Sequence, residues 1–276
     1  MVFANKRAMA AFFAALMFVL AALVELSGCA QSSAPTNSQT LTVGVRSDVV
    51  GFGYYNSSTD KYYGLEVDIA NDLATRLGYE DVQLVTVTPE NRKEMLQNGD
   101  IDCIIACYSV TESREENFDF SPTYYDDASV FMVEESSLIT SIDQLKDKTV
   151  GTMLGTNTAA EIIEQLTQEG RTSGVVLSAN EDNSDVQFDN FHLLQFDSYE
   201  DLSEALEVGE VDAAIMDGSI AQGYLKDNRE LLEYTGPTQS YAVATQKDSA
   251  LSQPVADTIQ QMIDDGTIAS LIDKWD

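Results

Sequence analysis

One histidine, three cysteines and fifteen lysines and arginines are all that this chain of 276 residues carries of those types. The single histidine, His192, sits in a stretch that reads as a polar loop, so no His/Cys cluster can form a zinc site and no Ser-His-Asp relay is expected. The fifteen basic side chains face 46 acidic ones, a formal charge of −31 that repels phosphate backbones and anionic membrane surfaces. Nucleic acid is thereby excluded as a partner. No GK[ST] phosphate loop occurs, and "GFGYYN" at Gly51 has two of the three glycines of a dinucleotide fingerprint but follows the wrong kind of element. The expectation is a protein without metal, without cofactor and without catalytic residues. Cys103 and Cys107 lie in a stretch that reads as one strand, where their spacing puts the Cα atoms about 13 Å apart. They cannot bridge each other and should stay free thiols.

What the chain does have begins at its N-terminus. Lys6 and Arg7 precede a long apolar run, the pattern of a secretory signal. The run ends in "LSGC", Leu26 to Cys29, which resembles the bacterial lipobox and implies cleavage before a lipidated Cys29. An uncleaved membrane helix is the competing reading, but the run is barely long enough to span and Glu25 sits near its end. Residues 1–28 are therefore read as a lipoprotein signal peptide and 29–40 as a flexible tether, small and polar through "QSSAPTNSQ". The body would be extracytoplasmic, anchored to the bacterial cell membrane by the lipid on Cys29.

Beyond the tether the chain writes one phrase twice. "LQNGDIDCIIAC" from Leu96 returns as "LEVGEVDAAIMD" from Leu206, and "TVGVR" at Thr42 returns as "TVGTM" at Thr149. Two echoes in the same order suggest two lobes of similar build, and the hydrophobic fraction of 44% supplies a core for each. The period is too long and irregular for a solenoid. Within each copy, β-branched alternation marks strands and 3–4 apolar spacing marks helices. "LTVGVR", "VQLVTV" and "IDCIIAC" read as strands of the first copy; "TVGTM", "FHLLQF" and "VDAAIMD" read as strands of the second. "GLEVDIANDLATRLG" is a helix closed by Gly78, "TPENRKEMLQNG" one with Thr88 as N-cap and Pro89 at its first position, and "SYEDLSEALEVG" one with Ser198 and Asp201 as a capping pair.

This alternation predicts an α/β fold with a parallel sheet in each lobe. The assignment is 41–131 plus 243–276 for lobe 1 and 132–242 for lobe 2, with "ASVFMVE" and "SYAVATQ" as two hinge strands. The acidic, turn-rich stretch Ser178 to Asn190 reads as an exposed insertion, and the C-terminal helices should pack on lobe 1.

Ligands of open α/β sheets collect at the carboxyl ends of the strands. Three of the scarce arginines, Arg46, Arg92 and Arg114, fall there, and Arg92 stands in the first turn of a helix, where the macrodipole disfavours a cation. A surface Arg92 paired with Glu90 or Glu94 is the plain alternative. Three such arginines together would focus positive potential inside an acidic protein.

"GLEVDIANDLATRLG", "NGDIDCIIACYSVTESREENFDFSPTYYDD", "SIDQLKDKTVGTMLGTNT" and "GEVDAAIMDGSIAQGYL" resemble, in this order, the extracytoplasmic solute-binding proteins of polar amino-acid ABC transporters. The resemblance covers nearly all of residues 40–276 and implies a two-lobed fold of the Venus-flytrap type that acts as a monomer beside a membrane permease. It implies that Ser109 and Arg114 hold the ligand's α-carboxylate, that Asp217 receives the α-ammonium, and that Thr156, Asn157 and Thr158 supply amides and hydroxyls. "VGVRSD" and "ENRKEMLQNGDID" resemble the aspartate/glutamate-binding branch, which gives the side-chain carboxylate to Arg46 and Arg92, with Cys107 beside them. Departures at Gly51, Pro89 and Cys107 alter the side-chain pocket more than the backbone clamp. Glutamine is the alternative ligand; a dehydratase of the cyclohexadienyl type and a sensor ectodomain are the rivals from other classes.

Overall fold

The computed structural model describes residues 40–275, so the signal segment, Cys29 and the tether up to residue 39 lie outside the described residues. Two sheets organise the rest. The first runs Asp81–Thr86, Thr40–Val45, Cys103–Ile104, Ala244–Gln246, Phe118–Phe120; its first three strands are parallel and its last two join antiparallel. The second runs Val176–Ala179, Asp185–Phe188, His192–Phe196, Thr149–Met153, Ala213–Asp217, Tyr125–Glu134, Arg229–Leu231, and is parallel only across its middle three strands. The α/β two-lobed class holds, but the sheets are mixed and not simply parallel. The antiparallel edges come from segments that enter by hairpins or cross from the other lobe, and such strands need no helical crossover.

The repeated phrase folds the same way twice. In the first copy the Asp102 carboxylate accepts the Thr42 amide at 2.7 Å while the Asp102 amide donates to the Thr42 carbonyl at 2.8 Å. Asp212 does the same with Thr149, at 2.9 and 2.8 Å. Gly99 and Gly209 end the preceding helices in the left-handed region, at φ of 78° and 76°. The glycines of the two "TVG" segments are closely packed: a Cβ on Gly44 would lie 2.6 Å from Ile101 Cδ1, and one on Gly151 2.5 Å from Leu202 Cδ1, so either side chain would have to shift.

Helix Leu65–Leu77 buries Leu65, Ile69 and Leu73 against Val255, Ile259 and Met262 of helix Ser252–Asp264, which seats the C-terminal helices on the first sheet's side. Each such side chain contributes about 1.5–3 kcal/mol of burial. Helix Thr158–Gln168 buries Ile162 and Leu166 in a separate core with Phe131, Val150 and Ile215. Tyr125–Glu134 and Thr238–Tyr241 pair antiparallel, Tyr125 opposite Tyr241, where the chain passes between the sheets.

Several local expectations are corrected. The acidic stretch after Ser178 is a hairpin, Val176–Ala179 against Asp185–Phe188, that lengthens the second sheet, and His192 begins a strand with its Nε2 2.7 Å from Asp185 Oδ1. Neither is a loop. The helix expected from Pro89 starts at Arg92 with Asn91 at its cap, because Thr88 and Asn91 bond each other's amides in a turn of their own. The strand holding Cys103 stops at Ile104, and Cys107 stands beyond it at φ 45°; both thiols are buried and free. Among the described residues no helix is long and apolar enough to cross a membrane.

Candidate functional site

Arg46 follows the last residue of strand Thr40–Val45, and its side chain is 2% exposed. Its guanidinium grips Asp48 with two bonds, Nε to Oδ1 at 2.8 Å and Nη2 to Oδ2 at 2.6 Å. Burial lowers its pKa, but the Asp48 bond and charge outweigh that and hold the pKa above the ordinary arginine value. Arg46 also touches the other lobe: Nη2 is 3.7 Å from Met153 Sδ, and the guanidinium carbon lies 5.7 Å from the Tyr199 ring centre. The residue assigned to a ligand carboxylate thus already has a carboxylate partner.

Arg92 and Arg114 do not. Arg92 is buried, and Nη1 donates to the carbonyls of Ala106, at 2.6 Å, and Cys107, at 3.4 Å, while Nε has no partner. Arg114 donates from Nη1 to the Ser109 carbonyl at 2.7 Å. Both lie over the ring of the buried Tyr108, at 4.6 and 4.2 Å from its centre. Among the described residues neither has an acid within salt-bridge reach, so the surface reading of Arg92 with Glu90 or Glu94 fails. Burial, then Arg114, then Arg46 lower the Arg92 pKa to about 10; burial also lowers that of Arg114. Two buried cations that repel each other and lack a counter-ion bind an anion with little further desolvation to overcome.

The second lobe presents the opposite charge. Asp217 ends strand Ala213–Asp217, is 7% exposed, and accepts from Tyr241 Oη and, at 3.4 Å, from Ser129 Oγ. No cation pairs with it among the described residues. Burial first, with Asp127 and Glu161 adding repulsion, raises its pKa to about 6.

Asn157 precedes helix Thr158–Gln168, whose first turn has no side-chain cap and whose amides therefore suit a carboxylate. Thr158 is buried at the helix start, while Thr156 Oγ1 is committed to the Met153 carbonyl at 2.8 Å. Gln239, on the crossing strand, joins the two sides: its Oε1 accepts from Ser109 Oγ at 2.6 Å and from Asn157 Nδ2 at 3.0 Å. Glu161 accepts from both amide nitrogens, from Asn157 Nδ2 at 2.6 Å and from Gln239 Nε2 at 2.5 Å. The lobes meet closely here, since a Cβ on Gly155 would stand 2.9 Å from backbone atoms of Pro89 and Glu90. A cavity of about 1070 Å³ opens beside Arg114, Asn157 and Glu161, with Lys93 and several further acids on its walls.

The structure therefore brings Arg46, Arg92, Cys107, Ser109, Arg114, Asn157 and Asp217 to one place. Cys107 stands near Glu66, Arg46, Asp217 and Arg92, and burial, then Glu66, pushes its thiol pKa up. Sequence reasoning missed Asp48, Gln239, Glu161 and Glu66. Glu66 is fully buried; its Oε1 accepts from the Cys107 amide and from Tyr124 Oη, both at 2.6 Å, and its Oε2 has no partner. Its signal in the sequence was faint, an acid in a helix's first turn, where acids are ordinary.

One expectation follows from the Asp217 pKa. An ammonium ligand needs the carboxylate charged, so affinity should hold from pH 8 to 7 and fall up to about tenfold per pH unit below 6. The free protein should respond with the opposite sign: a carboxyl raised above its unfolded value destabilises the fold once ionised, and acidification from 6 toward 4 removes that penalty. Asp217→Asn should weaken binding strongly, flatten the pH profile below 6, and shift melting by no more than a degree or two. A binding curve with the wild-type pH dependence would remove Asp217 from the site.

Residues 41–276 match the family described as bacterial extracellular solute-binding proteins, family 3. The ABC transporter glutamine-binding protein GlnH of Bacillus subtilis is 29% identical, over 87% of this chain and 82% of that protein. The glutamate/aspartate import solute-binding protein of Escherichia coli K12 is 27% identical, over 92% and 85%. Among solved structures, an ancestral arginine-binding protein bound to arginine superposes with a TM-score of 0.70 at 25% identity, over 86% of this chain and 98% of that one.

Proposed function

Since this chain belongs to the bacterial extracellular solute-binding proteins of family 3, we propose that it captures an amino acid with an acidic side chain, glutamate or aspartate, and delivers it to an ABC permease. The observation that carries the reading is the pair of buried, acid-free guanidiniums, Arg92 and Arg114, opposite the buried, cation-free Asp217. A dicarboxylic amino acid offers two carboxylates and one ammonium, and each finds one partner. Arg114 with Ser109 takes the α-carboxylate, Asp217 the α-ammonium, and Arg92 the side chain. Arg46, neutralised by Asp48, acts as a wall that touches Met153 and Tyr199 when the lobes meet. Ligand bridging the lobes favours the closed arrangement.

Glutamine is a second reading, favoured by Glu161. Its carboxylate lies near enough to Arg114 and Asp217 to perturb both, and with its charge counted the site balances for a neutral side chain. Titration calorimetry with glutamate, aspartate, glutamine and asparagine separates the two. A micromolar complex, about −8 kcal/mol, is expected for an acidic ligand, with the matching amide at least tenfold weaker; an amide that binds tighter overturns the acidic reading.

The anchor is proposed on Cys29. Cys29→Ala should release the protein from the membrane fraction, read by fractionation and immunoblot. Retention of that variant would favour an uncleaved membrane helix.

A further inference from the structure

Glu66 stands in the first turn of helix Leu65–Leu77 and is wholly buried. Acids in a first helical turn are ordinary where they meet water, but a carboxylate removed from water is costly and calls for a reason. Its Oε1 carries two short bonds, from the Cys107 amide and from Tyr124 Oη, both at 2.6 Å, while Oε2 has no partner among the described residues. Neither bond serves its own helix.

The peptide that Glu66 holds is the one on which Arg92 rests. A trans peptide is a rigid plane whose N–H and C=O point opposite ways. Between Ala106 and Cys107 the N–H donates to Glu66 Oε1 at 2.6 Å, and the C=O accepts from Arg92 Nη1, also at 2.6 Å. A carboxyl group thus stands at the positive end of one peptide dipole and a guanidinium at its negative end, where each bond strengthens the other. The same unit is strained. Cys107 has φ 45°, in the left-handed region that residues with a Cβ disfavour. Turning the peptide over would return Cys107 to negative φ, but would point the N–H at Arg92 and the C=O at Glu66. A strained conformation persists only where its surroundings over-determine it, and these two side chains do so.

We propose that Glu66 is a positioning residue for side-chain recognition: by holding the Cys107 amide it fixes the Ala106 carbonyl, and through it the direction in which Arg92 faces the cleft. The proposal rests on the reading that Arg92 meets the ligand's side chain. It adds what keeps that guanidinium in one orientation when no acid among the described residues lies within salt-bridge reach of it. Glu66 itself touches no ligand.

Two variants separate the bond from the bulk. Glu66→Gln keeps an oxygen for the Cys107 amide and for Tyr124, and Glu66→Leu keeps a side chain of similar size without an acceptor. In protein labelled on the cysteine nitrogen, NMR should show the Cys107 amide slow to exchange in the wild type and in Glu66→Gln, and fast to exchange in Glu66→Leu. By calorimetry, Glu66→Leu should weaken glutamate about tenfold or more and narrow its gap to glutamine, and Glu66→Gln should recover most of both; lost packing alone would weaken the two ligands alike. Adding Glu66→Leu to Arg92→Ala should cost little beyond Arg92→Ala itself, since the one acts through the other. Should Glu66→Leu fail to fold, Arg92→Ala carries the test, because freeing the Ala106 carbonyl should speed exchange of the Cys107 amide. A fast-exchanging Cys107 amide in the wild type, exchange unchanged in these variants, or additive losses in the double variant overturns the proposal. The exchange measurement needs no ligand, so it judges Glu66 separately from the acidic reading, which falls instead if the wild type binds glutamine more tightly than glutamate.

Discussion

Arg114→Ala should leave no measurable binding of any amino acid. Arg114 is 7% exposed, its guanidinium lies over Tyr108 and is aimed by the Ser109 carbonyl, and no acid of the described residues forms an ion pair with it. Every amino acid offers an α-carboxylate to this position, so the loss should be uniform across ligands. Truncating one member of a desolvated charge pair costs about 2–5 kcal/mol, which takes a micromolar complex to the millimolar range or beyond. The free protein should tolerate the change, because a buried cation with no ion pair among the described residues is a liability to the fold: burial already lowers the Arg114 pKa. Arg114→Lys should recover only part of the affinity, since an ammonium keeps the charge but loses the planar fork. Calorimetry measures the affinity and circular dichroism the melting. Retained binding of even one amino acid by a folded Arg114→Ala would move the α-carboxylate elsewhere.

The scarcity of arginine made this residue visible in the sequence, although its expected place at a strand end is not the observed one: the strand stops at Ile104 and Arg114 lies in the short helix Glu112–Glu115. The repeat was legible as well. Thr42 with Asp102, and Thr149 with Asp212, are local solutions to starting a parallel strand pair, and the chain uses the same residues both times. Less was legible wherever two distant segments decide one group's state. Asp48 lies two residues from Arg46, yet nothing in "RSD" tells whether the pair forms or the arginine stays free; that depends on Met153 and Tyr199 closing over it from the other lobe. Gln239 is an ordinary polar residue in an extended run until Ser109 and Asn157 converge on its carbonyl. The acidic stretch before His192 read only as an exposed insertion because its hairpin strands are short and mostly exposed.

Side-chain selectivity should rest on Arg92 more than on Arg46, which reverses their equal standing in the sequence. Among the described residues Arg92 has an unpartnered Nε and two backbone carbonyls as its only acceptors, and its pKa is lowered to about 10 by burial and by its two arginine neighbours. A ligand carboxylate would relieve that strain, and a ligand amide would relieve less. Arg92→Ala should therefore weaken glutamate and aspartate by roughly ten- to a hundredfold, as expected for a charged hydrogen bond of about 1.5–3 kcal/mol, and narrow their gap to glutamine and asparagine. Arg46→Ala should act more weakly, through the Asp48 charge it leaves behind, and the double variant should be non-additive because both arginines shape one pocket. Glu161→Gln tests the balance from the other side. It removes a negative charge that Arg114 and Asp217 both sense while preserving an acceptor for one of the two amide donors, Asn157 or Gln239, so glutamate affinity should rise relative to glutamine. Calorimetry of these variants with glutamate and glutamine decides between the ligands: if Arg92→Ala lowers both affinities equally and Glu161→Gln leaves their ratio unchanged, the pocket does not read side-chain charge, and the acidic assignment falls while the Arg114–Asp217 clamp stands.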